Sequence, residues 1–132
     1  MLTETDRGQI VAYRETMPYL LGLRDTKCTW TLCTGAQGDI GARAAPAISQ
    51  GALFSMANAA CHDNTSTNVR FNEIYLGTRV VVDRLASETG AMKSSEFAQV
   101  YEGILSRTEL RGGRINVFGY DDLCNLKFIK KY

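Results

Sequence analysis

A carboxylate, a phenol and a primary amide gather around two short segments: Gln37 and Asp39 follow residues 28–34, and Tyr75 closes residues 68–76. Side chains of these types can move a proton, the carboxylate as base, the phenol as hydrogen-bond donor or acid, the amide as an orienting group. Thr34 and Thr78 add hydroxyls at the same two places. Asp39 and Tyr75 are therefore the candidate catalytic residues, and Thr34, Gln37 and Thr78 the candidate substrate-binding residues. Each has a plainer alternative: Asp39 as a solvated loop residue or helix cap, Tyr75 as an amphipathic core residue, Gln37 as a surface side chain. His62, the single histidine, is the other acid/base candidate, because only its ordinary pKa lies near neutrality. It falls at the end of an expected helix, where it would meet the helix dipole. The four cysteines, Cys28, Cys33, Cys61 and Cys124, contain no C-x-x-C pair. One histidine cannot complete a zinc set with them, so they read as structural thiols and no metal is expected.

The elements that must hold these groups follow from periodicity. Ile10, Tyr13, Met17, Leu20 and Leu21 recur at helical spacing after a Thr3-x-x-Asp6 start, which predicts a helix over residues 4–22 with a bend at Pro18. Residues 28–34 read as a strand running into the glycine-rich stretch 35–41. Residues 42–61 read as an alanine-rich helix whose stripe Ile48, Ala52, Met56 and Ala59 packs closely on another surface. Residues 68–76 alternate as a second strand, and residues 78–92 are left open. Ser94 or Ser95 caps a third helix carrying Phe97, Tyr101, Ile104 and Leu105, and Gly112-Gly113 turns into a third strand over residues 114–118. Helix and strand alternate, so the fold class is α/β, with a small, mainly parallel sheet of three strands, about three main helices and a partial Rossmann-like, three-layer build. Ligands of such sheets sit beyond the carboxyl ends of the strands, which selects the residues named above.

The chain has 132 residues with 15 basic and 14 acidic side chains, a net charge of +1. That length suits one domain over residues 1–132. The balanced charge gives no reason to expect nucleic acid or an anionic membrane as partner. Residues 1–9 are polar and acidic, without the apolar core of a signal peptide, and no run of 18 apolar residues occurs, so a cytoplasmic setting is expected.

Five stretches in order, 12–20, Thr31-Leu-Cys-Thr-Gly35, Ala45-Pro-Ala-Ile-Ser-Gln-Gly-Ala-Leu53, Val69-Arg-Phe-Asn-Glu-Ile-Tyr-Leu-Gly77 and Gly113-Arg-Ile-Asn-Val-Phe-Gly119, resemble landmarks of the C-terminal half of the short-chain dehydrogenase/reductase family. The family's acid/base tyrosine and its lysine form a Tyr-x-x-x-Lys motif, where this sequence places Pro46 and Gln50; Thr34 falls at the family's serine. The family's asparagine would fall at Met1 to Thr3, where there is none. The resemblance implies a truncated domain without its nucleotide-binding half. The segment Thr34-Gly-Ala-Gln-Gly-Asp-Ile-Gly41 imitates the family's glycine fingerprint, but Asp39 would repel a diphosphate, so no cofactor is expected.

The resemblance also implies an uncovered sheet edge and uncovered helix faces, hence a homodimer or higher homo-oligomer, with Ala44, Ala52, Ala59 and Ala60 permitting close helix approach. The expected function is a cofactor-independent, non-redox enzyme acting on a small organic molecule: a cyclase, isomerase or lyase, by analogy in natural-product biosynthesis. The alternatives are a non-catalytic binding or oligomerisation protein and an NAD(P)-binding oxidoreductase fragment.

Overall fold

The computed structural model describes residues 4–132; the helix start at Thr3 and the asparagine position at Met1–Thr3 lie outside them. The chain runs α1 (Glu4–Leu23), β1 (Thr29–Gly35), α2 (Gln37–Ile40), α3 (Ala44–Asp63), β2 (Arg70–Leu76), β3 (Val80–Val81), α4 (Asp83–Thr89), β4 (Met92–Lys93), α5 (Ser94–Ser106), β5 (Gly113–Val117), α6 (Asp121–Cys124) and β6 (Lys127–Lys130). The main sheet has the order β1-β2-β5-β6. Its first three strands are parallel, with Thr34 beside Tyr75 and Glu73 beside Arg114, and β6 returns antiparallel to β5. The α/β class and the three parallel strands agree with the sequence. The fourth strand does not follow from helical alternation, because β5 and β6 are joined through the short α6 and need no crossover. The open stretch 78–92 folds as α4 between two short strands that pair in parallel.

Helices cover both faces of the sheet. Leu32 and Phe71 form one buried cluster with Leu53, Ala57, Ala60 and Cys61 of α3, and Tyr13 of α1 packs against it. On the other face Ile74, Ile115 and Val117 meet Val100 and Ile104 of α5, with Leu110 and Leu123. β2 lies between the two and is buried along Arg70–Tyr75, so the alternation read there marks two covered faces and not one wet face.

The helix faces differ from expectation. On α3 the buried line is Ser49, Leu53, Ala57 and Ala60, one position on from the expected stripe, and Ile48 is 65% exposed. Small apolar residues surround this helix, so spacing alone cannot choose its inner face. On α1 Met17 is buried and Tyr13 meets the edges of Trp30 and Phe71, while Ile10 and Leu21 stay exposed. A buried polar pair ties the two helices, with the Ser49 hydroxyl donating to Asp6 at 2.7 Å. α1 continues through Pro18 to Leu23. The start of α5 is held not by its own serines but by Asp83, whose carboxylate accepts from the Ser95 N–H at 3.1 Å and the Ser94 hydroxyl at 3.2 Å. No helix among the described residues is long and apolar enough to cross a membrane.

Candidate functional site

The polar centre of the molecule is Glu73 on the middle strand, with no exposed surface. Its carboxylate accepts from the Thr34 hydroxyl at 2.7 Å, from Arg114 Nε at 2.9 Å and from Lys131 Nζ at 2.7 Å. An isolated charge would not be tolerated here; two cations and a hydroxyl compensate it. The Arg114 guanidinium also lies over two rings, 4.8 Å from the Tyr75 centroid and 4.9 Å from that of Phe54. A charged cluster under α3 is thereby linked to the phenol at the end of β2.

Tyr75 is 7% exposed, with Phe54 and Phe118 at 5.8 and 5.9 Å between ring centroids. Its hydroxyl donates to Asp39 Oδ2 at 2.8 Å. Two glycines permit this arrangement: a Cβ at Gly38 would run into the Phe54 ring, and one at Gly77 into the Phe118 ring. Burial raises the Tyr75 pKa, the bond to Asp39 and that residue's charge raise it further, and Arg114 opposes them. The phenol therefore remains protonated at neutral pH and acts as a donor. Asp39 is exposed to solvent.

The expected site residues separate into three places. Gln37 and Thr78 line an open cleft of about 380 Å³ between residues 35–40 and 76–79, together with Ile40, Leu76 and Arg79. Thr34 is buried behind it on Glu73. The Asp39–Tyr75 pair joins across the two loops but does not line the cleft. His62 lies in the last turn of α3, exposed, with Asp63 at 3.4 Å and the Tyr132 ring near-perpendicular to its own. Glu73, Arg114 and Lys131 were not among the sequence candidates; the available signal was a carboxylate and a guanidinium within otherwise apolar strands. Burial pushes the Cys61 thiol up to about 11 and raises that of Cys33, which lies beside Tyr101, whose phenol burial pushes up to about 12. Among the described residues no group of three or more His, Cys, Asp or Glu could hold a metal ion.

The positions matched to the tyrosine and lysine lie one helical turn apart in α3, Pro46 in the first turn and Gln50 in the next. Gln50 turns inward, its Oε1 accepting the Gly35 N–H at 2.7 Å. The glycine-rich loop does not open a long helix. Its α2 spans only the four residues Gln37–Ile40 and is capped by Gly41, which has φ 67°, and Asp39 is engaged by Tyr75. These residues do not fit a nicotinamide dinucleotide: the diphosphate would meet a carboxylate, and no phenol–ammonium pair stands on α3.

A mainly parallel sheet with helices on both faces and a cleft beyond its strand ends defines an α/β protein of partial Rossmann-like build. In sequence the chain is 43% identical over 125 residues to short-chain dehydrogenase/reductase iacG of Pestalotiopsis fici, covering 91% of this chain and 50% of that protein. The match agrees with the resemblance to part of the short-chain dehydrogenase/reductase family, and the chain spans about half the length of the curated relative it matches. No family model matches the chain, and no solved structure matches it.

Proposed function

We propose that the protein catalyses non-redox proton transfer on a small carbonyl compound, as an isomerase, cyclase or lyase, with Asp39 as base. The observation that carries this reading is the 2.8 Å bond from Tyr75 to Asp39 beside the cleft. Tyr75 fixes the carboxylate, and Asp39 shares the turn of α2 with the cleft residues Gln37 and Ile40. Substrate held by the Gln37 amide and the Thr78 hydroxyl gives a proton from the carbon next to its carbonyl to Asp39. The same carboxylic acid returns the proton to another carbon or to a leaving group, so the step needs no oxidant. The relative's name states a dehydrogenase/reductase; Pro46 and Gln50 oppose carrying hydride chemistry to this chain.

The test uses acetophenone and 2-hydroxyacetophenone in D2O, read by proton NMR. Exchange above buffer is expected, falling about 100-fold or more in Asp39→Asn, with no oxidation of NADPH. Exchange at the buffer rate would reject the reading. The exposed Ile10, Val11, Leu21 and Ile48 and the outer edge of β1 support a homodimer. Light scattering would then give twice the chain mass of 14.6 kDa, and a monomer would remove that reading.

A further inference from the structure

At the opposite end of the sheet from Asp39, a second cavity of about 280 Å³ is lined by Arg70, Arg111, Lys130, Glu109, Thr26 and Thr108. Arg70 opens β2 and is only 2% exposed. Its Nη1 donates to the carbonyls of Ile104, Arg107 and Leu110 at 3.1 to 3.2 Å, and its Nη2 to that of Lys27 at 3.3 Å. Arg111 Nη2 donates to the carbonyls of Thr67 and Val69. Carbonyl dipoles fix these guanidinium groups in place but supply no negative charge.

Arginine is rarely buried without a carboxylate partner, because removing its charge from water must be compensated. Among the described residues neither Arg70 nor Arg111 forms an ion pair, and neither does Lys130. The Nε–H of both arginines is buried with no acceptor. The single carboxylate of the lining, Glu109, is engaged with Arg107 Nε at 2.9 Å. Burial and the neighbouring Arg111 both press the Arg70 pKa downward, with Glu109 opposing, a sign of two cations forced together. Three cations thus face a space whose one acid is already paired.

We infer that this cavity binds a small multivalent oxyanion, recognised by Arg70, Arg111 and Lys130. Planar guanidinium groups and an ammonium are the donors that phosphate and paired carboxylates require, and the two threonines offer hydroxyl donors beside them. The volume suits such an anion and lies below the ~300–1,000 Å³ of sites for larger organic ligands. The cavity shares no residue with the cleft near Asp39, so this inference stands whatever reaction occurs there.

The test is a melting-temperature titration of the full chain with inorganic phosphate and, separately, malonate, each against chloride at matched ionic strength. A saturable rise with either anion is expected. Lys130→Gln, at an exposed position, should weaken the apparent affinity about tenfold or more, whereas Asp39→Asn should leave it unchanged. In a 15N spectrum the Nε–H resonances of Arg70 and Arg111 should move along the same saturation curve. A rise that never saturates, an affinity unchanged in Lys130→Gln, or Nε–H resonances that stay still would each overturn the site.

Discussion

Besides Asp6, two carboxylates are buried on opposite sides of this sheet, and the protein treats them differently. Glu73, under α3, has no exposed surface and is met by two cations that are themselves largely buried, Arg114 at 22% and Lys131 at 17% exposed. Asp122, in α6 beside the cluster beneath α5, is 3% exposed and is met by one lysine, Lys127, that is 63% exposed, and by the Phe118 backbone N–H at 2.8 Å. The first is an enclosed ion cluster joined to the candidate catalytic phenol through Arg114. The second closes a turn. The apolar contacts differ as well: the buried centre beneath α5 is mainly aliphatic, with Phe97, Tyr101 and Phe128 packed at its margin, whereas the α3 face mixes alanine and aromatic rings with charge. The α3 side encloses a paired charge among rings, whereas the α5 side holds its buried Arg70 and Asn72 on backbone carbonyls.

The sharpest way to break this contrast is to remove one partner from each side. Glu73→Ala leaves Arg114 and Lys131 facing each other without their shared anion and is expected to cost about 4 kcal/mol. Ile104→Ala, in the middle of the α5 cluster, leaves a cavity and is expected to cost about 3 kcal/mol. Urea denaturation measures both. The double variant Glu73→Ala/Lys131→Met should recover part of the first loss, because it removes one of the stranded charges. If Glu73→Ala costs less than Ile104→Ala and the double variant recovers nothing, Glu73 is not the organising charge of the α3 face.

The strands and long helices were legible because their signals are local. Thr29–Gly35 and Gly113–Val117 lie within one residue of the stretches that β-branched residues and glycines mark out, and α1 ends one residue from its expected end. The inner face of α3 was not legible, since an alanine-rich helix presents similar apolar surface on all sides. The partners of Glu73 were hidden for another reason: Thr34 is 39 residues away, Arg114 41 and Lys131 58, and only the strand order brings them together. Thr34, Gln37, Asp39, Tyr75 and Thr78 were selected as candidates by the rule that ligands sit beyond strand ends. That rule names a neighbourhood and not side-chain directions. The structure accordingly joins Asp39 to Tyr75, turns Thr34 inward and leaves Gln37 and Thr78 in the cleft.

The smallest expected effect tests the other carboxylate. The Lys127 ammonium, and after it the Phe118 N–H, hold the Asp122 carboxyl below its usual range. A group whose folded pKa is depressed contributes stability that is complete above its unfolded value, about 3.9 for aspartate, and is lost as the pH falls through the folded value. Lys127→Met should therefore lower the urea midpoint at pH 7 and pH 5 alike. The gap to the unaltered protein should narrow once the pH drops below about 4 and close where Asp122 is protonated in both. The effect ranks below the others because most of the lysine lies in solvent, which screens the pair. A gap that keeps its full size through the acid range would mean that Lys127 supports the turn by packing its stem, and the two carboxylates would then differ in kind rather than in degree of enclosure.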